Sequence, residues 1–229
     1  MRTIKLKGTP EPILVEKIFC IGRNYAAHAA EMSSEVESHP VVFLKPTTAL
    51  MQNGGMIEPP AFAKELHHEV EMVVLIGKGG KNITKAHAYD HVAGYAVGLD
   101  MTLRDVQAEA MKKGLPWTVA KGFDTSAPIS AAIDKSNIAN PHDLEITLRV
   151  NGKVRQHSNT RFMLFRIDTI ISYLSTIFTL ERGDLIFTGT PDGVSAVVPG
   201  DVLDAELQSV GAIQVSVAGA SALRGERTS

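Results

Sequence analysis

Along this chain the apolar positions follow a strand period more often than a helix period. Met72 to Ile76 is an unbroken apolar run rich in β-branched residues and bounded by Gly77, Gly79 and Gly80, which predicts a buried strand. Ala93 to Leu99 is a second small, apolar strand, and Lys17 to Gly22 and Pro40 to Lys45 give two more. From Leu144 the alternation is regular: Glu145 to Val150 runs into Asn151-Gly152, a pair diagnostic of a tight hairpin, and Lys153 to His157 returns. Leu185 to Thr188, Val202 to Leu207 and Ala212 to Val217 complete the β pattern. Helical periodicity is confined to three stretches. Arg23 to Met32 is alanine-rich. Leu103 to Lys113 stops at Gly114 and Pro116, with Thr102 and Asp105 spaced as an N-terminal capping box. Phe162 to Phe178 is amphipathic. Few helices and many strands predict an α+β protein whose mixed β-sheet curls into a roll with a few flanking helices. A single catalytic domain over 1–229 is expected, with a short strand region at 1–16 and a frayed polar tail at 223–229.

Chemistry enters where the first buried strand begins. Glu69 and Glu71 lie two residues apart, so they share one strand face at a spacing of roughly 6.5–7 Å. Two carboxylates at the start of a buried strand repel each other and lose solvation, an arrangement easiest to keep with a positive charge between them. A solvated strand end carrying two acids is the competing reading. A third acid, Asp100, closes the Ala93–Leu99 run, and the three compose a candidate all-oxygen cation site suited to Mg²⁺ or Mn²⁺ rather than zinc. His67 falls on the same face, where it is a ligand, a neighbour of the ligands or simply an exposed histidine.

Composition narrows the class without choosing the reaction. The 229 residues are 44% hydrophobic and 21% charged, ordinary values for a folded protein. With 23 basic and 25 acidic residues the formal net charge is −2, so there is no electrostatic footprint for nucleic acid or a membrane surface. Cys20 is the only cysteine and lies in an apolar run, which predicts a small core residue and excludes an intramolecular disulfide. No apolar stretch approaches a membrane span and no signal-peptide pattern opens the chain, so a cytoplasmic protein is expected.

Further candidates are scattered. His28 and Glu31 are three apart, neighbours on a helix face, which suits either a carboxylate-oriented general base or a surface ion pair. The following Ser33 to His39 is polar and expected to be exposed and mobile. Lys45, just before Pro46, is an exposed strand terminus or an anion-binding group. Gly189-Thr190-Pro191-Asp192-Gly193 either brings backbone amides close to a ligand or is a plain turn.

Five motifs occur in an order that resembles a known family. They are Ile21-Gly22-Arg23-Asn24-Tyr25, Glu69-Val70-Glu71, Gly98-Leu99-Asp100-Met101-Thr102 with Arg104-Asp105-Val106-Gln107, Lys121-Gly122-Phe123-Asp124, and Phe187-Thr188-Gly189-Thr190-Pro191. Together they resemble the fumarylacetoacetate hydrolase family, in its compact acylpyruvase-like branch, over Lys17 to Val217. The resemblance implies a homodimeric β-roll with Mg²⁺ (or Mn²⁺) held by Glu69, Glu71 and Asp100. It also implies that His28 and Glu31 form a water-activating dyad on a mobile lid. Lys121 is then the group that stabilises developing negative charge, and Arg23, Lys45, Gln107 and Thr190 line the substrate site. The leading activity it implies is cleavage of an acylpyruvate, a 2,4-dioxo acid, to pyruvate and a carboxylic acid. Oxaloacetate decarboxylation or tautomerisation and isomerisation of a hydroxy-diene-dioate are the alternatives on the same metal–enolate site. A serine hydrolase is disfavoured, since no G-x-S-x-G elbow occurs.

Overall fold

The computed structural model describes residues 2–26 and 38–219. Its backbone is an eight-stranded mixed sheet running Val41–Lys45, Ile18–Gly22, Leu185–Phe187, Val70–Ile76, Val92–Leu99, Ala127–Ile129 and Leu50–Gln52, with Ile133–Asp134 also paired to Val92–Leu99. A five-stranded sheet, Lys153–Asn159, Glu145–Val150, Val202–Leu207, Gly211–Val217 and Met56–Ile57, packs against it. A small three-stranded sheet of Thr102–Leu103, Leu66–His68 and Ser195–Val197 sits where the Val70–Ile76 strand begins. This is the mixed, curled β architecture with few helices that the apolar periods predict.

The Val70–Ile76 strand is buried along its whole length because both of its faces are covered. Met72, Val74 and Ile76 pack with Val97, Ile146, Leu148, Leu203 and Ile213 in the larger core between the sheets. Val73 and Leu75 point the other way, into a second cluster with Ile18, Cys20, Ala96 and Phe187. Cys20 is accordingly a core residue, and burial pushes its thiol pKa well up.

Local signals hold at most boundaries. Asn151 and Gly152 both take positive φ, 51° and 75°, as a two-residue hairpin requires. The Arg104–Lys113 helix ends on Gly114 at φ 66° in the left-handed region. Two expectations are corrected. Thr102 is not a helix cap: it pairs with His67 in a strand, its hydroxyl donates to the Asp100 carbonyl (3.1 Å), and the helix opens after an extended Leu103 with no side-chain cap. The amphipathic helix starts at Ile167 rather than Phe162. Asn24 explains this, because its carboxamide accepts from the Phe165 amide (2.6 Å) and donates to the Phe165 carbonyl (3.0 Å), while Leu164 N–H donates to the Asn24 carbonyl (2.8 Å). Residues 164 and 165 are committed to that contact and unavailable to a helix. Among the described residues no helix is long and apolar enough to cross a membrane.

His142 supplies a test of the core. Its Nε2 accepts from the Tyr89 hydroxyl (2.9 Å) and the Ile167 amide (3.4 Å), and burial, aided by Arg166, lowers its pKa from 6.5 to about 4. As pH falls from 6.5 towards 4 the unfolded histidine binds a proton that the folded one refuses, so stability falls with pH in that window. Thermal melts of His142→Gln should therefore show a shallower loss between pH 6.5 and 4 than the parent, with His68 supplying part of the slope that remains. Parallel melting curves for the two proteins would show that His142 is not buried neutral.

Candidate metal and substrate site

The site is assembled at one end of two antiparallel strands. Glu71 opposes Gly98 across the Val70–Ile76 and Val92–Leu99 pair, and Asp100 follows directly after the second strand. Gly98 is required here, since a Cβ would lie 2.7 Å from the Phe187 ring and 2.9 Å from Val73. Glu69 sits at the break between Leu66–His68 and Val70–Ile76, and its carbonyl accepts from the Asp100 amide (2.8 Å). One oxygen from each of Glu69, Glu71 and Asp100 lies within 4.8 Å of the others, and all three residues are buried.

Cations surround two of these acids. Lys121, 2% exposed at the end of the short Thr118–Lys121 helix, places its ammonium 2.7 Å from Glu69 Oε2 and 2.7 Å from Asp100 Oδ2. Burial alone would lower the lysine's pKa, but Asp100 and Glu69 outweigh it and raise it, so Lys121 is a fixed cation at neutral pH. Arg104 donates from one nitrogen to Glu69 Oε1 (2.5 Å) and from another to Gln107 Oε1. Lys45 reaches Asp100 Oδ1 at 2.8 Å and donates to the Met101 carbonyl (3.2 Å), Ser126 Oγ (3.1 Å) and the Lys121 carbonyl.

Glu71 is treated differently. The Gly189 amide donates to its Oε2 (2.7 Å), and Gly189 can approach because its φ is 97° and it has no Cβ, which would fall 2.6 Å from Asn24 Cβ. No lysine or arginine among the described residues forms an ion pair with it. Burial, then the charges of Asp100 and Glu69, push its pKa well up. Three buried carboxylate oxygens with one acid left uncompensated form a donor set that fits a hard divalent cation.

The recess in front of the acids is walled by Arg23, Phe43, Gln107, Met111, Trp117 and Thr190. Trp117 meets Phe43 edge-on at 5.6 Å, and the Arg23 guanidinium lies 6.0 Å from the Trp117 ring. Arg23 holds a left-handed backbone, φ 58°, immediately before the Asn24 clamp.

The expected residues therefore separate into groups. Glu69, Glu71, Asp100, Lys121, Arg23, Gln107 and Thr190 converge on one recess. Lys45 does not line it; drawn inward by Asp100, it is 2% exposed and supports that acid from behind. His67 is half-buried and accepts a long hydrogen bond from Arg104 Nε (3.4 Å), a neighbour of the acids. His28 and Glu31 lie outside the described residues. In the sequence Arg104 figures only within the motif that follows Asp100, with no role of its own, and Phe43, Trp117, His68 and Gln156 are not among the candidates. The Arg104–Gln107 spacing on one helix face was the available signal for the arginine; a buried Gln156 in a polar hairpin had none.

A curled mixed β-sheet thus places three buried carboxylates, a donor set that fits a divalent cation, beside a buried ammonium. The family model for the fumarylacetoacetate (FAA) hydrolase C-terminal domain matches residues 17–218, and the chain belongs to that family. It is 52% identical over 202 residues to the mitochondrial oxaloacetate tautomerase FAHD1 of Rattus norvegicus, covering 88% of this chain and 91% of the rat protein. Its fold matches a fumarylpyruvate hydrolase from Pseudomonas aeruginosa, solved in complex with Mn²⁺ and pyruvate, with a TM-score of 0.91 and 39% identity over 94% of this chain and 95% of that one. A 2-hydroxyhepta-2,4-diene-1,7-dioate isomerase from Mycobacterium marinum matches with a TM-score of 0.80 and 36% identity over 90% of this chain and 76% of that one.

Glu71 makes the metal assignment testable with opposite signs. Glu71→Gln keeps an acceptor for the Gly189 amide but removes the uncompensated charge. The metal-free variant should melt higher than the parent by a few degrees, about 2–4 °C for each kcal/mol of relieved repulsion. The rise in melting temperature on adding Mg²⁺ or Mn²⁺ should vanish. A variant that still shifts with metal would exclude Glu71 as a ligand.

Proposed function

We propose that this protein interconverts the keto and enol forms of oxaloacetate with the help of a divalent cation at Glu69, Glu71 and Asp100. The observation that carries the reading is the grouping of that acid trio with one buried ammonium and two guanidinium groups around a single recess. When bound, the cation supplies a Lewis acid for the adjacent carboxylate and keto oxygens of a 2-oxo acid. The chain's own residues supply the rest. The Lys121 ammonium stands where negative charge develops as a proton leaves C3, and its two carboxylate partners hold it there before substrate arrives. Arg104 and Gln107, fixed to each other on one helix face, and Arg23, braced by Trp117, present donors for the second carboxylate of a four-carbon diacid. Tautomerisation is balanced by returning that proton to the C2 oxygen, so no water is consumed. His28, with Glu31 three residues on, is the candidate base on sequence grounds.

What favours oxaloacetate over a longer acylpyruvate is the relative that shares half its residues with this chain across nine-tenths of both lengths. Acylpyruvate hydrolysis is the second reading, supported by the pyruvate complex of the Pseudomonas neighbour. Hydrolysis needs the same enolate stabilisation plus an activated water, which the His28–Glu31 pair suits.

The deciding experiment follows the ultraviolet absorbance of enol-oxaloacetate with Mg²⁺ or Mn²⁺, and in parallel assays acetylpyruvate and fumarylpyruvate with products identified by mass. The enol signal should decay faster with enzyme and without release of pyruvate. Lys121→Met should cost roughly 10²–10³-fold, the usual worth of one preorganised charge-stabilising donor. Cleavage of the acylpyruvates with no effect on enol-oxaloacetate would replace this reading with the hydrolase.

A further inference from the structure

Gln156 is out of character for its strand. Arg155 and His157 beside it are exposed, whereas Gln156 is 1% exposed and lies against the Gly189–Pro191 turn. Its amide orientation is fixed by partners whose roles are fixed. Oε1 accepts from the backbone N–H of Val70 (3.0 Å), an obligate donor, and Nε2 donates to the Pro191 carbonyl (2.8 Å), an obligate acceptor. The remaining N–H donates to Thr190 Oγ1 (2.8 Å). His68 Nδ1, 2.9 Å from Oε1, therefore carries the ring proton, and His68 Nε2 accepts from Ser195 Oγ (2.9 Å). Every position of the carboxamide is filled.

The consequence falls on Thr190. Its hydroxyl proton is donated to the Val70 carbonyl (2.9 Å), and one of its two lone pairs is taken by Gln156. A hydroxyl has one proton and two lone pairs, so a single lone pair remains. Thr190 lines the recess. A ligand that reaches this hydroxyl meets an acceptor and no donor.

We infer that Gln156 is a positioning residue that fixes the Thr190 hydroxyl as an acceptor, so that the site recognises an O–H group there, such as the enol hydroxyl of a 2-oxo acid. A keto or carboxylate oxygen at the same point meets lone pair with lone pair. The identity of the ligand rests on the enol-handling function proposed above; the polarity does not.

Calorimetric binding of pyruvate and of both enantiomers of lactate, each with Mg²⁺, tests this without turnover, because lactate carries an O–H where pyruvate carries a carbonyl oxygen. Thr190→Val should weaken lactate about tenfold, the worth of one neutral hydrogen bond, and leave pyruvate unchanged. Thr190→Ser should restore the parent ratio. Gln156→Leu, or Gln156→Met if the first does not fold, frees the hydroxyl to turn, so the lactate-to-pyruvate ratio should move in the same direction as in Thr190→Val. Equal losses for both ligands, or none, would overturn the assignment; if no variant at 156 folds, the two Thr190 variants decide the polarity. Normal ligand ratios in a protein inactive on enol-oxaloacetate would remove the tautomerase reading and leave this inference standing.

Discussion

Three carboxylates held within 4.8 Å of one another, away from water, set the terms for the rest of this molecule. Left alone, such a group would take up protons or spread apart, because buried like charges repel strongly in a medium that screens them poorly. The fold answers with cations and one amide from separate parts of the chain: Lys45 from an edge strand, Lys121 from a one-turn helix, Arg104 from the Arg104–Lys113 helix, and the Gly189 amide from the turn after a central strand. Removing one partner of a buried pair typically costs about 3–5 kcal/mol, so these supports act as a unit rather than as separate ornaments. Gly98 and Gly189 belong to the same solution, since a side chain on Gly98 would collide with Phe187 and Val73 and one on Gly189 with Asn24.

The acids and the walls of the recess are built on different kinds of support, in a family whose members include an oxaloacetate tautomerase and a fumarylpyruvate hydrolase. The acids sit on strand ends packed on both faces, where a ligand set stays fixed. Arg23, Phe43, Gln107, Met111 and Trp117 form walls from a left-handed turn, an edge strand and a helix. On the proposed reading, the fixed acids and Lys121 would supply the enolate stabilisation, and the walls would select the substrate and decide whether water takes part.

Legibility in the sequence followed the range of the interactions. The strands were readable because burial on two faces leaves a continuous apolar run, and the Asn151-Gly152 hairpin because its φ values are a local requirement. Glu69, Glu71 and Asp100 were readable as a candidate group because each lies at the end of such a run. Lys45 was not: a lysine before a proline at a strand end looks solvated until Asp100 and Ser126 are brought beside it. Thr102 matched a capping box, but the carbonyl of Asp100 competed for its hydroxyl and strand pairing with His67 took its backbone. Gln156 was the least visible, because its four hydrogen bonds reach two distant segments, 68–70 and 190–191, and none of them leaves a periodic trace.

The turn at 188–191 shows how these levels meet. Within it the Thr188 and Thr190 hydroxyls donate to the carbonyls of Met72 and Val70, and the Gly189 amide donates to Glu71. The turn thereby locks onto the strand that carries Glu71 and directly follows Glu69, and the spare capacity of the Thr190 hydroxyl is that of an acceptor. Positive charge on the other walls comes from Lys121, Arg104 and Arg23. A 2-oxo acid in its enol form has both faces that such a recess can satisfy, anionic oxygens for the cations and one hydroxyl proton for the lone acceptor. The keto form lacks the second, so under the proposed function the same backbone contacts that hold the acids in register would also bias the site towards the enol.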